Sequence, residues 1–263
     1  MKRYIFKIFY IGSNYLGFQR QKNGMGIENF VEYVFVLLGY IESFRNNRYI
    51  STSRTDAGVS AIGNVFTLNI INEPNLKQIN YLLPRDIIIW DYAEVSLNFN
   101  PRIKLSKIYS YILMERIDIE KLKELIGVNN FSKLIKRDGA GRYNPETRII
   151  GVSNSLENDM CVINLEGDNF GRQQIRNMIG FLRDSRLKQR SLKNYLISND
   201  KIDIKPAAPE YLILRSINFI DEISWKRKYL SDELYFLKIR INTERSLPPY
   251  LILIYQFLKE SLI

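Results

Sequence analysis

The chain is expected to fold as an α+β protein built from two related α/β halves, each with a mainly antiparallel sheet. Three observations predict this class: short β-rich runs recur along both halves, helices with apolar stripes lie between them, and turn residues punctuate them without any low-complexity linker. The division is placed near residue 105, giving halves at 1–105 and 106–220 and a C-terminal extension at 221–263 with no assigned role.

Residues 3–11 alternate as a strand and Gly12-Ser13-Asn14 forces a turn. After Gly24-Met25-Gly26, the residues Ile27, Phe30, Val31, Val34, Phe35, Leu38 and Ile41 form one continuous helical stripe. A strand is expected near Arg48–Ser53, a loop at Arg54–Gly58, a strand near Gly63–Ile71, and a helix from Asn75 that Pro84 must stop. Ile87–Val95 reads as a further strand. The second half is expected to hold strands near Lys107–Met114, Arg148–Asn154, Met160–Glu166 and Leu212–Ile220, with helices near Ile119–Ile126, Arg172–Leu187 and Ser191–Ile197. The extension adds a strand near Tyr235–Ile241 and a helix after Pro249.

Composition narrows the chemistry. The 263 residues include no His and one Cys, Cys161, which excludes imidazole general bases, Ser-His-Asp and Cys-His hydrolysis, intrachain disulfides and Cys-cluster zinc sites. The uncharged apolar stretches are too short to span a bilayer, and the amino terminus reads as a strand and not a leader, so a cytoplasmic protein with no membrane association is expected. The net charge of +10 is shared: residues 1–105 carry 12 Lys and Arg against 8 Asp and Glu, residues 106–220 carry 19 against 14, and residues 221–263 carry 7 against 6. Such a surface suits a polyanion, nucleic acid above all.

The sharpest local feature is Ser53-Arg54-Thr55-Asp56-Ala57-Gly58-Val59-Ser60, a carboxylate at a strand-to-turn junction among small residues, with a guanidinium two positions earlier. Small neighbours let a planar ligand approach, and Arg54 can hold Asp56 ionised or pair with a ligand phosphate. By turn chemistry alone, an Asp capping its own turn is the commoner use of this pattern.

Ser53-Arg54-Thr55-Asp56-Ala57-Gly58-Val59 resembles the Gly/Ser-Arg-Thr-Asp-x-Gly-Val loop of the TruA-like tRNA pseudouridine synthases, and other segments follow in family order. Gly12 to Gln21 is similar to the family's Tyr-x-Gly-Trp/Phe-Gln-Arg-Gln turn. Leu83-Pro84-Arg85-Asp86-Ile87, Phe99-Asn100-Pro101-Arg102, Lys107-Ile108-Tyr109-Ser110-Tyr111, Asn130-Phe131-Ser132, Thr147-Arg148-Ile149, Gly167-Asp168-Asn169-Phe170, Gln174 to Gly180 and Ala208-Pro209 come next. The resemblance covers roughly residues 4–220. Ser60 and Asn100 stand where the family often has His, Gly171 replaces an apolar residue, and Tyr211 replaces a usual Gly.

The resemblance implies the pseudouridine synthase fold with its two halves joined across a basic cleft, and isomerisation of uridine to pseudouridine at positions 38–40 of the tRNA anticodon stem-loop. It implies no cofactor or metal, a flipped-out target base, and a homodimer. Asp56 is the implied catalytic residue, as nucleophile or as base for the 2′ proton. Tyr109, Arg54 and Arg176 are the implied substrate-binding residues. Tyr109 and Tyr111 share a strand face, so periodicity does not choose between them. Arg172, Arg176, Arg183 and Arg190 are expected on one face of the helix after Gly171, and Arg20, Arg102, Arg148 and Arg172 are candidate RNA contacts. A non-catalytic RNA-binding or tRNA-chaperone protein and a synthase acting on a different RNA remain open alternatives at this point.

Overall fold

A computed structural model describes residues 1–136, 144–157, 159–226 and 249–262. They form two compact units, Met1–Leu105 with Ile213–Ile263, and Ser106–Leu212. No described helix is long and apolar enough to cross a membrane.

In the first unit, β1 (Lys2–Tyr10) lies between β3 (Ser60–Ile70) and β4 (Ile87–Val95), antiparallel to both. The short β2 (Ile50–Ser51) runs antiparallel to β3, whose other end takes β9 (Leu212–Asn218) in parallel. Every residue of β3 is buried, as expected of a central strand covered on both faces. Helix α1 (Ile27–Leu37) lays Val31, Val34 and Phe35 on the sheet. Phe35 meets Phe6 edge-on with ring centres 5.4 Å apart, and Phe6 stacks on Phe66 at 5.0 Å. Each such buried ring contributes roughly 1.5–3 kcal/mol of apolar transfer energy.

The stripe to Ile41 predicts a longer α1 than is found. Gly39 adopts φ +71, and the Gly39 and Tyr40 amides turn back onto the Val36 and Phe35 carbonyls, which closes the helix one turn early. Helix α2 (Leu76–Leu82) begins where Asn75 accepts bonds from the Lys77 and Gln78 amides and stops before Pro84, as its sequence requires. The last helix, α6 (Pro249–Leu262), opens on a proline and buries Leu253, Ile254 and Phe257. The strand expected at Tyr235–Ile241 lies outside the described residues.

The second unit is an antiparallel sheet in the order β5 (Ser106–Leu113), β8 (Met160–Gly167), β7 (Glu146–Glu157), β6 (Gly127–Asn130). Strand β6, Gly-Val-Asn-Asn, has little β propensity and forms because β7 offers it an edge. Helix α3 shrinks to Glu120–Lys123, and α5 covers Leu192–Ile197 with Ser191 accepting from the Asn194 amide.

Helix α4 spans Gln174–Arg183, where one continuous helix over Arg172–Leu187 was expected. Asp184 leaves the helix at ψ 113 and caps the following turn by accepting from the Arg186 amide at 3.0 Å. The proposed ridge of four arginines is therefore not a single helix face. Arg172 and Arg190 lie outside the helix, Arg183 pairs with Glu115 at 2.8 Å, and Arg190 pairs with Asp200.

Candidate active site

The Asp56 loop is fastened along its whole length to the turn after β1. The Phe18 amide donates to the Thr55 carbonyl at 3.1 Å, the Gly58 amide to the Tyr15 carbonyl at 3.4 Å, and the Val59 amide closes the loop on the Asp56 carbonyl at 3.1 Å. Side chains finish the job: the Tyr10 and Thr55 hydroxyls lie 2.7 Å apart, and Asn64 donates to the Tyr10 hydroxyl and the Ser53 carbonyl. Ser60 Oγ accepts from the Gly12 amide at 3.0 Å, so a serine at this family histidine position serves to lock two backbones together. The approach is so close that a Cβ on Gly12 would sit 2.1 Å from the Val59 carbonyl oxygen, and Gly17, at φ +96, would meet the Thr55 carbonyl. Two quoted motifs thus form one rigid corner, with Asp56 half-buried and Arg54 exposed upon it.

The rest of the corner is tied in the same way. Asp86 accepts from Tyr15 Oη at 2.5 Å and Asn14 Nδ2 at 3.1 Å, which holds the Pro84–Ile87 segment against the Gly12 turn. Glu28, at the start of α1, accepts from the Arg20 amide, the Tyr49 hydroxyl and the Ser51 hydroxyl. The Tyr49 phenol is raised well above its ordinary pKa by burial first and the Glu28 charge second. Among the described residues, Ser53 Oγ is buried without a hydrogen-bond partner.

In the second unit, Tyr109 on β5 sits edge-on to Phe170, ring centres 5.4 Å apart. Tyr111, two residues on, donates from its hydroxyl to the Ala208 carbonyl at 3.0 Å, and burial pushes its pKa up to about 12. Tyr111 is committed to the scaffold, a distinction that strand periodicity left open. Arg176 on α4 is clamped to Ala207 in both directions, its Nε donating to the Ala207 carbonyl at 2.7 Å and its carbonyl accepting from the Ala207 amide at 2.9 Å. Gly180 makes this possible, since a Cβ there would lie 2.2 Å from the Lys205 carbonyl oxygen.

Arg148 and Asp168 bridge β7 and the turn after β8: the Arg148 amide donates to Asp168 Oδ1 at 3.0 Å, and the Asp168 amide returns a bond to the Arg148 carbonyl at 3.1 Å. Thr147 Oγ1 and the Gly171 amide both donate to Gln174 Oε1, joining the Thr147–Ile149 segment to the start of α4. Where the family has an apolar side chain, Gly171 leaves room that Ile135 occupies: a Cβ at Gly171 would meet Ile135 Cδ1 at 2.6 Å.

Of the candidate RNA contacts, the Arg102 and Arg148 side chains are exposed, and Arg102 Nε also donates to the Ser51 carbonyl at 3.3 Å. Arg172 and Arg20 are exposed as well, and Arg20 is ion-paired with Glu32 at 2.6 Å. Tyr10, Asn64 and Glu28 carry no sequence signal, because each acts on a segment far from it in the chain or through a role that no local pattern marks.

No family model matches the chain. A chain of a solved Cbf5-Nop10-Gar1 complex superposes with a TM-score of 0.41 at 10% identity, covering 96% of this chain and 61% of that one, too loose a likeness to argue from. Sequence relatives are informative. The protein is 31% identical over 243 residues to tRNA pseudouridine synthase A of Methanothermobacter thermautotrophicus, covering 86% of this chain and 87% of the relative. It is 34% identical over 229 residues to that of Thermococcus sibiricus, with 82% and 85% covered, and 31% identical over 230 residues to that of Archaeoglobus fulgidus, with 84% and 85% covered. With the ordered motifs all built into local structure and this identity sustained over most of its length, the chain belongs to the tRNA pseudouridine synthase A family.

Proposed function

We propose that the protein isomerises uridine to pseudouridine in tRNA, at positions 38–40 of the anticodon stem-loop, without a cofactor. The observation that carries this reading is Asp56, presented on a loop whose backbone is fixed by the Gly12–Phe18 turn in a chain of this family. The reaction breaks the C1′–N1 bond, turns the uracil while it is held, joins C5 to C1′, and moves the C5 proton off as N1 regains one. Atoms balance and no oxidant, metal or imidazole is needed, which suits a chain without histidine. Asp56 acts at the ribose, either on C1′ as nucleophile or on the 2′ proton as base.

A stacked uridine must leave its helix first, at a cost of a few kcal/mol. Stacking on Tyr109 offsets much of that, since a base on an aromatic ring is worth about 1–3 kcal/mol. Arg54 and Arg176 supply positive charge to the substrate, and Arg102, Arg148 and Arg172 bind backbone phosphate in a homodimeric, cytoplasmic enzyme. The test is to incubate purified protein with unmodified tRNA transcripts and map every pseudouridine formed. Product confined to 38–40 supports the reading; product elsewhere makes it a synthase for another site, and none in any transcript sinks it.

Phosphate contact has its own signature. Arg172→Ala is expected to weaken tRNA binding and to reduce the slope of log affinity against log salt by about one unit, the counterion equivalent of one phosphate. An unchanged slope removes Arg172 from the interface.

A further inference from the structure

Arg3, on β1, is 1% exposed, and its guanidinium donates four hydrogen bonds, all to uncharged oxygens. Nε reaches the Phe99 carbonyl at 3.0 Å; Nη1 reaches the Arg48 carbonyl at 3.1 Å and Asn69 Oδ1 at 2.8 Å; Nη2 reaches Thr67 Oγ1 at 2.6 Å. Burial, and then the like charge of Arg48, lower its pKa to about 10. A buried cation whose hydrogen-bond partners are all neutral is a poor device for stability alone. What a planar fork does better than a neutral side chain is to hold several oxygens in fixed relative positions.

The segments it holds converge on one place. Thr67, besides accepting from Arg3, donates to the Ile50 carbonyl at 3.4 Å, on β2. The loop that carries Phe99 continues to Pro101 and Arg102: Thr52 Oγ1 donates to the Pro101 carbonyl at 3.1 Å, and Arg102 Nε donates to the Ser51 carbonyl. The Thr52 amide is bonded to the Val65 carbonyl on β3 at 2.9 Å. Ile50–Thr52 is therefore gripped from one side by β3 and from the other by the 99–102 loop, and Arg3 is bonded to both jaws. The next residue is Ser53, where the Asp56 loop begins.

We propose that Arg3 is a positioning residue for the Asp56 loop: by fixing β3 and the 99–102 loop around Ile50–Thr52, it sets the point and direction at which the chain enters Ser53–Gly58. The inference rests on the reading of Asp56 as the reacting carboxylate. Arg3 touches no substrate, and its effect travels through main-chain placement. Arg3→Lys keeps the charge but replaces the fork with a point donor. Thr52→Val keeps the shape of the far link and removes its hydrogen bond.

Single-turnover rates of pseudouridine formation and tRNA dissociation constants test the relay. The expected result is a rate loss of about tenfold in Arg3→Lys and about threefold in Thr52→Val, with tRNA affinity within about twofold of wild type, and a double variant no slower than Arg3→Lys because both cut one relay. Rates within about twofold of wild type in folded protein overturn the proposal, as do losses that multiply in the double variant or that trace to weaker tRNA binding. If Arg3→Lys does not fold, Thr52→Val decides alone, and a wild-type rate overturns it. Asp56→Asn separates the two ideas: activity retained there sinks the reading of Asp56, whereas an inactive Asp56→Asn beside fully active Arg3 and Thr52 variants sinks only the relay.

Discussion

Asp56→Asn is expected to reduce pseudouridine formation by at least ~10³-fold, about 4 kcal/mol of lost transition-state stabilisation, while the protein stays folded and binds tRNA. Asparagine has the size and shape of aspartate, and the Phe18, Gly58 and Val59 amides, the Tyr10 and Thr55 hydroxyls, and Asn64 tie the loop whichever of the two residues stands there. The corner therefore survives the change, and what disappears is a carboxylate able to attack C1′ or take the 2′ proton. Measuring product in unmodified tRNA alongside a filter-binding isotherm separates the two effects. Wild-type turnover in the variant would show that Asp56 is not the reacting carboxylate and that its loop is a turn and nothing more.

The second large effect is expected from Gly12→Ala. Its Cβ would fall 2.1 Å from the Val59 carbonyl oxygen and 2.4 Å from the carbonyl carbon, and neither backbone atom can swing aside as a side chain would. The turn and the loop must separate, which breaks the Gly12 amide bond to Ser60 as well. The cost is on the order of 3 kcal/mol, the upper range for a strained insertion, and corresponds to a melting temperature lower by roughly 6–12 °C for a chain of this size. Activity in folded protein should fall more than tenfold, because the displaced backbone is that of the Asp56 loop. Ser13→Ala, at an exposed neighbouring position, serves as the control and should change stability by no more than about 0.5 kcal/mol. Equal melting temperatures for the two variants would refute the close packing.

Elements with strong punctuation were legible in the sequence. Asn75 and Pro84 bracket α2 as expected, and Ile87–Val95 is β4 over the whole of the run. Elements decided by a neighbour were not. Strand β6 exists because β7 presents an unpaired edge, α1 closes early because Gly39 enters the left-handed region, and α4 breaks because Asp184 does better capping the next turn than continuing the helix. That break dissolved the arginine ridge, which was an extrapolation of 3.6-residue spacing through residues that are not helical.

By itself the sequence determined the mixed α/β class, the exclusion of imidazole chemistry, and Asp56 within an ordered set of motifs, since these depend on residue identity and short-range spacing. Tertiary structure alone decided what holds the Asp56 loop. Tyr10, Gly12, Ser60 and Arg3 act there across separations of 45 or more residues, and Asn64 reaches the Ser53 carbonyl from β3, 11 residues away. Tertiary structure also withdrew Tyr111 to the scaffold by giving its hydroxyl the Ala208 carbonyl. Hydrogen bonds and close packing operate over 3–4 Å in space with no regard for distance along the chain, so a local pattern can single out the Asp56 loop but not the groups that hold it in place.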